Sequence, residues 1–293
     1  MALPALSEDE QRVVFLRLCD ALTPCVAVYF SSASRGLRAT TQALRQQLRA
    51  DHAVATALCH KVGMQSCKEL REAREAAWRH RCLSAAELAT LGKLGSVLPA
   101  LEWLHLENRS STAVPEGMQL LAERLGVGAL PAMTSLLLDY VHVGNAGASA
   151  LAAALGRGAL PQLKDLELNN AAICDAGLMA LAPALRRLPA LERLVLSCNP
   201  FGDDGLAALV APAPPAGALP PTGVLKKLKE LDLCCTRITD SGCATLAAAL
   251  DRGLLPALES LDLDGIPASA AAQMNALAKS KAAVSLRSIL AAA

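Results

Sequence analysis

Residues 160–168 read LPQLKDLEL, and the phrase returns as LPALERLVL at 188–196, LKKLKELDL at 225–233 and LPALESLDL at 255–263. Earlier copies are LPALEWLHL at 98–106 and LPAMTSLLL at 130–138, and successive copies begin 32, 30, 28, 37 and 30 residues apart. Superposed, they give three columns: Leu101, Leu104, Leu106; Met133, Leu136, Leu138; Leu163, Leu166, Leu168; Leu191, Leu194, Leu196; Leu228, Leu231, Leu233; and Leu258, Leu261, Leu263. Seventeen of these eighteen positions are leucine. Burying each one is worth roughly 2 kcal/mol. A single unit has nothing of its own to pack its row against, so stacked neighbours must close the core. The chain is therefore predicted to be a solenoid rather than one globule.

The second half of each unit has helical spacing. Gly117, Leu121 and Leu125 recur as Gly147, Leu151, Leu155, as Gly177, Leu181, Leu185, and as Gly242, Leu246, Leu250. Steps of four put these positions on one helix face. Asn145, Asp175, Asp203 and Asp240 each stand two residues before a glycine. Their short side chains are predicted to cap the helices they begin. One carboxylate per successive helix start does not cluster as a hard cation requires, so these positions are read as caps rather than metal ligands. Alanines 152, 182 and 247 would let the helices lie close to the strand layer.

A short strand, a turn and a helix repeated at this length resembles the leucine-rich repeat, in its long, ribonuclease-inhibitor-like class. The resemblance covers residues 98–280 and rests on the six L-x-x-L-x-L cores and on the turns Ile173–Gly177 and Ile238–Gly242, with Phe201–Gly205 as a close variant. It implies an α/β horseshoe, with parallel strands on the concave side and helices on the convex side. It also implies Asn or Cys three positions after the last strand leucine, where the side chain satisfies backbone groups of the turn. Only Asn199 obeys; Arg109, Val141, Ala171, Thr236 and Ile266 stand at the other equivalents. The fourth unit is lengthened by APAPPAGALPPTGV at 211–224, whose five prolines forbid a continuing helix and predict a surface loop. Residues 281–293 would form a C-terminal cap or tail.

Charge and composition exclude several classes. The 293 residues carry 28 Lys plus Arg against 27 Asp plus Glu, and 53% are hydrophobic but only 2% aromatic. Disorder as the main state is excluded. The start MALPALSEDEQ is acidic where a secretory signal is basic, and prolines break the longest apolar stretch, Leu206 to Leu219. No signal peptide and no membrane partner are expected. Ten cysteines, none in a C-x-x-C pair, read as reduced thiols of a cytoplasmic protein, with the nucleus as a further compartment left open.

The positions between the strand leucines alternate to the opposite face. They hold Glu102, Glu107, Asp139, Asp165, Glu167, Glu192, Glu230, Asp232, Glu259, Asp262 and Asp264 against Lys164, Arg193 and Lys229, with Trp103, His105 and Tyr140 beside them. Exposed aromatics are enriched at interface hot spots. The complement of such an acidic concave face is a protein with a basic surface. Residues 98–293 carry 15 basic and 18 acidic groups, so phosphates would be repelled and no nucleic acid is expected.

Residues 1–97 carry 13 basic and 9 acidic groups, and stretches such as Thr40–Leu48 and Lys68–His80 combine polarity with helical apolar spacing. The segment is predicted to be helical throughout and to cap the first repeat. Within it, residues 6–38 resemble an F-box. Leu6-Ser7-Glu8-Asp9-Glu10 stands where that family has Leu-Pro-x-Glu-Leu, and Val14, Phe15 and Leu18 match its I-F-x-x-L, while Ser7 replaces the usual proline and the customary tryptophan near Arg35 is absent. The resemblance implies that Leu6, Val14, Phe15 and Leu18 bind the adaptor subunit of a cullin-RING ubiquitin ligase, with the repeats selecting the substrate.

Other chemistry finds little support. Cys59, His60, Cys67, His80 and Cys82 lack the paired knuckles of a zinc site. Cys198 and Cys235 occupy equivalent strand exits, one repeat apart. The five histidines fall mostly before the repeats, and no nucleophile and base share a site. No catalytic residue, metal or cofactor is expected. The reading is a non-catalytic protein-interaction module; an F-box-type substrate receptor is the first alternative, and a GTPase-activating regulator is a second, by fold analogy only.

Overall fold

The computed structural model describes residues 6–108, 116–210 and 225–280; the proline-rich stretch 211–224, Arg109 and the segment 281–293 lie outside them. Five helices come first: α1 (Glu8–Leu18), α2 (Cys25–Ser32), α3 (Arg35–Thr40), α4 (Gln42–Val62) and α5 (Cys67–Glu72). Strands and helices then alternate: β1 (Glu75–Arg79), α6 (Ala85–Leu94), β2 (Trp103–Glu107), α7 (Glu116–Arg124), β3 (Ser135–Asp139), α8 (Gly144–Gly156), β4 (Asp165–Glu167), α9 (Asp175–Leu185), β5 (Arg193–Val195), α10 (Asp203–Val210), β6 (Glu230–Asp232), α11 (Asp240–Asp251), β7 (Ser260–Asp262) and α12 (Ala270–Lys279). The described strands form one parallel sheet in chain order from β1 to β7. The middle leucine column lies in register: Leu104, Leu136, Leu166, Leu194, Leu231 and Leu261 are successive partners. This is an α/β repeat fold.

The strand β1 corrects the expectation of helix across Lys68–His80 and moves the start of the sheet well before residue 98. Ala76 and Trp78 are buried between exposed Glu75, Ala77 and Arg79, the alternation of a strand with one face on a core. They pair with Leu104 and Leu106 of β2. Alanine and tryptophan fill the columns that leucine fills elsewhere, so a search for leucines passes over them. The helix α6 follows, closed by a capping box in which Ser84 and Glu87 each accept from the other's backbone N–H. Its Leu88, Leu91 and Leu94 join the same core as the later repeats, as do Leu58, Cys59 and Val62 of α4. A second, smaller core holds Phe15, Cys19, Ala27, Phe30 and Leu37. There Phe15 and Phe30 meet edge to face with ring centroids 5.8 Å apart.

The residues read as caps work across repeats instead. Asn145, Asp175, Asp203 and Asp240 lie inside the first turn of their own helices, where their oxygens reach the next unit. Asn145 Oδ1 accepts from Cys174 N at 3.0 Å, and Asp175 Oδ1 accepts from Gly202 N and Gly205 N, both at 2.8 Å. Asp203 takes Thr239 N at 2.8 Å and the Thr239 hydroxyl at 2.6 Å, and Asp240 takes Ser269 N and its hydroxyl. Each carboxylate thus satisfies free N–H groups at the start of the following helix. The glycines of the turn make room for it: a Cβ on Gly177 would stand 2.6 Å from Asn145 Oδ1, and one on Gly242 would clash with Asp203 Oδ1.

Candidate functional site

The charged face of the sheet divides into three parts. At its N-terminal end the acids and aromatics expected to be exposed are largely covered. His105 and Glu107 are buried, and Trp103 packs edge to face on His105 at 5.7 Å. Arg79 Nε donates to His105 Nδ1 at 3.0 Å, so the strand absent from the sequence reading supplies the covering partner. On the other side His105 Nε2 stands 2.9 Å from Asp139 Oδ2. Burial, with Glu167 nearby, pushes the Asp139 carboxyl up against the opposing pull of His105. Tyr140 is half exposed and takes a left-handed backbone at the strand exit, φ 55°.

At the centre one cation serves three acids. Arg193 Nη1 contacts Glu167 Oε1 and Asp165 Oδ1, the latter at 3.2 Å, while its Nε lies 3.1 Å from Glu230 Oε1. Burial works to strip the guanidinium of its proton, but these carboxylates outweigh it and hold Arg193 above its ordinary value. Burial also raises Asp165, with Arg193 opposing. This part of the face is therefore partly compensated from within: one cation is shared by three carboxylates.

At the C-terminal end the compensation stops. Asp232 on β6 and Asp262 on β7 are register partners, Asp262 and Asp264 are exposed, and none of the three enters an ion pair among the described residues. Cys234 N donates to Asp232 Oδ1 and Asp264 N to Asp262 Oδ1, both at 2.9 Å. Cys198 and Cys235 do meet, as their equivalent strand exits implied, and both are free thiols with left-handed backbones. Cys234 was not singled out in the sequence. The available signal was its place two residues after Asp232, which returns it to the charged face.

Asn199, the one match to the expected turn position, is buried and fully used. Its Oδ1 accepts from Ala171 N and Ile173 N, and its Nδ2 donates to Leu168 O, Leu196 O and Ser197 O. Val141, Ala171 and Ile266 fill that column with buried apolar groups, and the Thr236 hydroxyl donates to Leu233 O at 2.8 Å. In the first helices, Phe15 is 1% exposed and cannot serve as a surface contact. Its aromatic ring finds more apolar area in the small core than any surface gives. Leu6 and Val14 are half-buried, and Leu18 is exposed beside Val13 and Leu16.

The fold and this face define a parallel α/β repeat protein with a charged sheet surface. Comparison with known families gives the repeat its name: the leucine-rich repeat model matches residues 188–210 and 224–247, the units containing β5, α10, β6 and most of α11. Repeats of this kind generally mediate protein–protein interaction. A search of curated proteins returns no match. Among the described residues no helix is long and apolar enough to cross a membrane.

Proposed function

We propose that this chain is a non-catalytic protein-interaction protein of the cytoplasm, in which the charged sheet face is the concave side of a horseshoe and binds a partner through a basic segment. The observation that carries the reading is the gradient along the face. Asp139 lies against His105, and Asp165, Glu167 and Glu230 share Arg193, whereas Asp232, Asp262 and Asp264 enter no ion pair among the described residues. A rim of unpaired like charges steers a complementary surface and raises its rate of association. The same charge disfavours nucleic acid. Charge reversal by Asp262→Lys with Asp264→Lys tests this. Partners captured from a eukaryotic cytosol by the intact chain should be lost or weakened at least tenfold, and equal retention of every partner would reject the reading.

A second reading is supported by the exposed apolar residues Val13, Leu16 and Leu18 on α1 with Val28 and Tyr29 on α2. Together with the F-box resemblance, they suit a substrate receptor that docks on a ubiquitin-ligase adaptor through α1 and α2. The test is the full-length chain with Leu16→Ser and Leu18→Ser. Loss of adaptor and cullin subunits from the captured set, with other partners kept, supports it; absence of those subunits from the unaltered chain's set rejects it. Deletion of residues 1–97 is unsuited to either question, because it removes β1 and α6 from the sheet and core.

A further inference from the structure

The uncompensated end of the sheet carries more than acids. One carboxylate oxygen each from Asp232 and Asp262 and the Cys234 sulfur all lie within 4.8 Å of one another. Cys235 follows Cys234 in the chain, Cys198 holds the equivalent strand exit of the preceding repeat, and all three are free thiols. Like charges opposed on neighbouring strands are destabilising unless something offsets them. Arg193 does so for Asp165 and Glu230 in its own row and for Glu167 in the next, and no described side chain does so for Asp232 and Asp262. The two aspartates are already oriented by the backbone N–H bonds from Cys234 and Asp264.

We propose that Asp232, Cys234 and Asp262 form a site for a thiophilic divalent cation of the zinc class, with three protein ligands and a fourth position open to solvent. The sulfur decides the class of ion: thiolate favours zinc and its softer relatives, whereas Mg²⁺ and Ca²⁺ require an oxygen shell. Geometry is within reach. Zinc bonds of about 2.0–2.3 Å give tetrahedral ligand separations of about 3.3–3.8 Å. Closing from 4.8 Å thus asks for about 1 Å of movement, which the exposed Asp262 side chain can supply by rotation. Binding would release the thiol proton, because the thiolate is the ligand form. The proposal goes beyond partner binding, since it assigns the same acids a ligand that needs no second protein.

Titration of the purified full-length chain with Co²⁺, under reducing conditions and without any partner, tests it. One Co²⁺ per chain is expected, with thiolate-to-metal charge transfer in the near ultraviolet and the visible bands of a tetrahedral ion, all displaced by Zn²⁺. Cys234→Ser should abolish the charge transfer, and Asp262→Asn, a substitution at an exposed position that preserves shape, should weaken binding at least tenfold. Cys59→Ser with Cys67→Ser removes the buried thiol pair whose sulfurs lie 3.9 Å apart and should change nothing. Absence of the charge-transfer band overturns the proposal. So does a band that survives Cys234→Ser or disappears with the Cys59 and Cys67 substitutions.

Discussion

The Asp175 carboxylate accepts the backbone N–H of Gly205 at 2.8 Å, and a Cβ on Gly205 would stand 2.8 Å from the same Oδ1. At three junctions Asn145, Asp175 and Asp203 therefore supply the acceptor, and Gly177, Gly205 and Gly242 of the next repeat supply the space for it. The aspartate and glycine of the turn are partners across the interface between units. This locates part of the solenoid's cohesion in polar bonds between nearest neighbours, beside the leucine columns.

Gly205→Ala is expected to cost about 1–3 kcal/mol, because the methyl must push the carboxylate away from the helix start. Asp175→Ala should cost about as much by orphaning Gly202 N and Gly205 N. The double variant should lose clearly less than the sum, since the methyl no longer displaces anything. Urea unfolding of the four proteins measures the cycle; additive losses would show that the two residues act separately.

Asn199 is expected to be the most sensitive polar position of the repeats. Asn199→Ala removes five hydrogen bonds and leaves the N–H groups of Ala171 and Ile173 buried without acceptors. A loss of about 2–4 kcal/mol is expected. Thr236→Ala, at the equivalent position one repeat later, breaks one bond to Leu233 O and should cost about 1 kcal/mol. Thermal unfolding of both variants checks the ranking, and equal costs would contradict it.

These cases also mark how far the sequence could be read. Leucine columns reveal themselves because burial demands one residue type at fixed spacing, and the strands β2 to β7 fall where Leu104, Leu136, Leu166, Leu194, Leu231 and Leu261 put them. The strand β1 stayed hidden because its inward residues are Ala76 and Trp78, and because REAREAAWRH is as compatible with a charged helix as with a strand. The acidic face was legible as composition but not as charge balance. Which acids remain free depends on one arginine reaching across three strands and on Arg79 covering His105, and no spacing rule encodes that reach.

Arg193→Met should lower stability in a pH-dependent way. Asp165 is raised by burial even with Arg193 present, so its contribution is fully present below its ordinary value near 3.8 and is lost as pH rises through its higher folded value. Removing the guanidinium raises Asp165 further and leaves Glu167 and Glu230 facing it. The deficit is expected to be about 1–3 kcal/mol at pH 7, given the partial exposure of the cluster. It should shrink as pH falls through the raised Asp165 value, where that carboxyl takes up its proton in both proteins. Denaturant midpoints taken from pH 3 to pH 7 measure it; a deficit independent of pH would mean that Arg193 acts by packing alone.

Phe15 and Leu18 lie three residues apart on one helix yet should respond oppositely. Phe15 fills the small core with Phe30 and Leu37, a cluster separate from the one that runs through the sheet. Phe15→Ala is expected to cost about 3–5 kcal/mol of local stability. The loss should centre on α1, α2, α3 and the start of α4, whose Leu44 and Leu48 pack on that cluster, because no residue of the sheet belongs to it. Leu18 is more than half exposed, so Leu18→Ser should change stability by less than about 0.5 kcal/mol. Hydrogen exchange by mass spectrometry separates the cases: faster exchange in residues 8–40 with β2 to β7 unchanged for Phe15→Ala, and no change for Leu18→Ser. Spread of the Phe15→Ala effect into the sheet would show that the two cores unfold as one. For any partner docked on α1, a binding loss on changing Phe15 would report unfolding of the first helices, whereas a loss on changing Leu18 would report the surface itself.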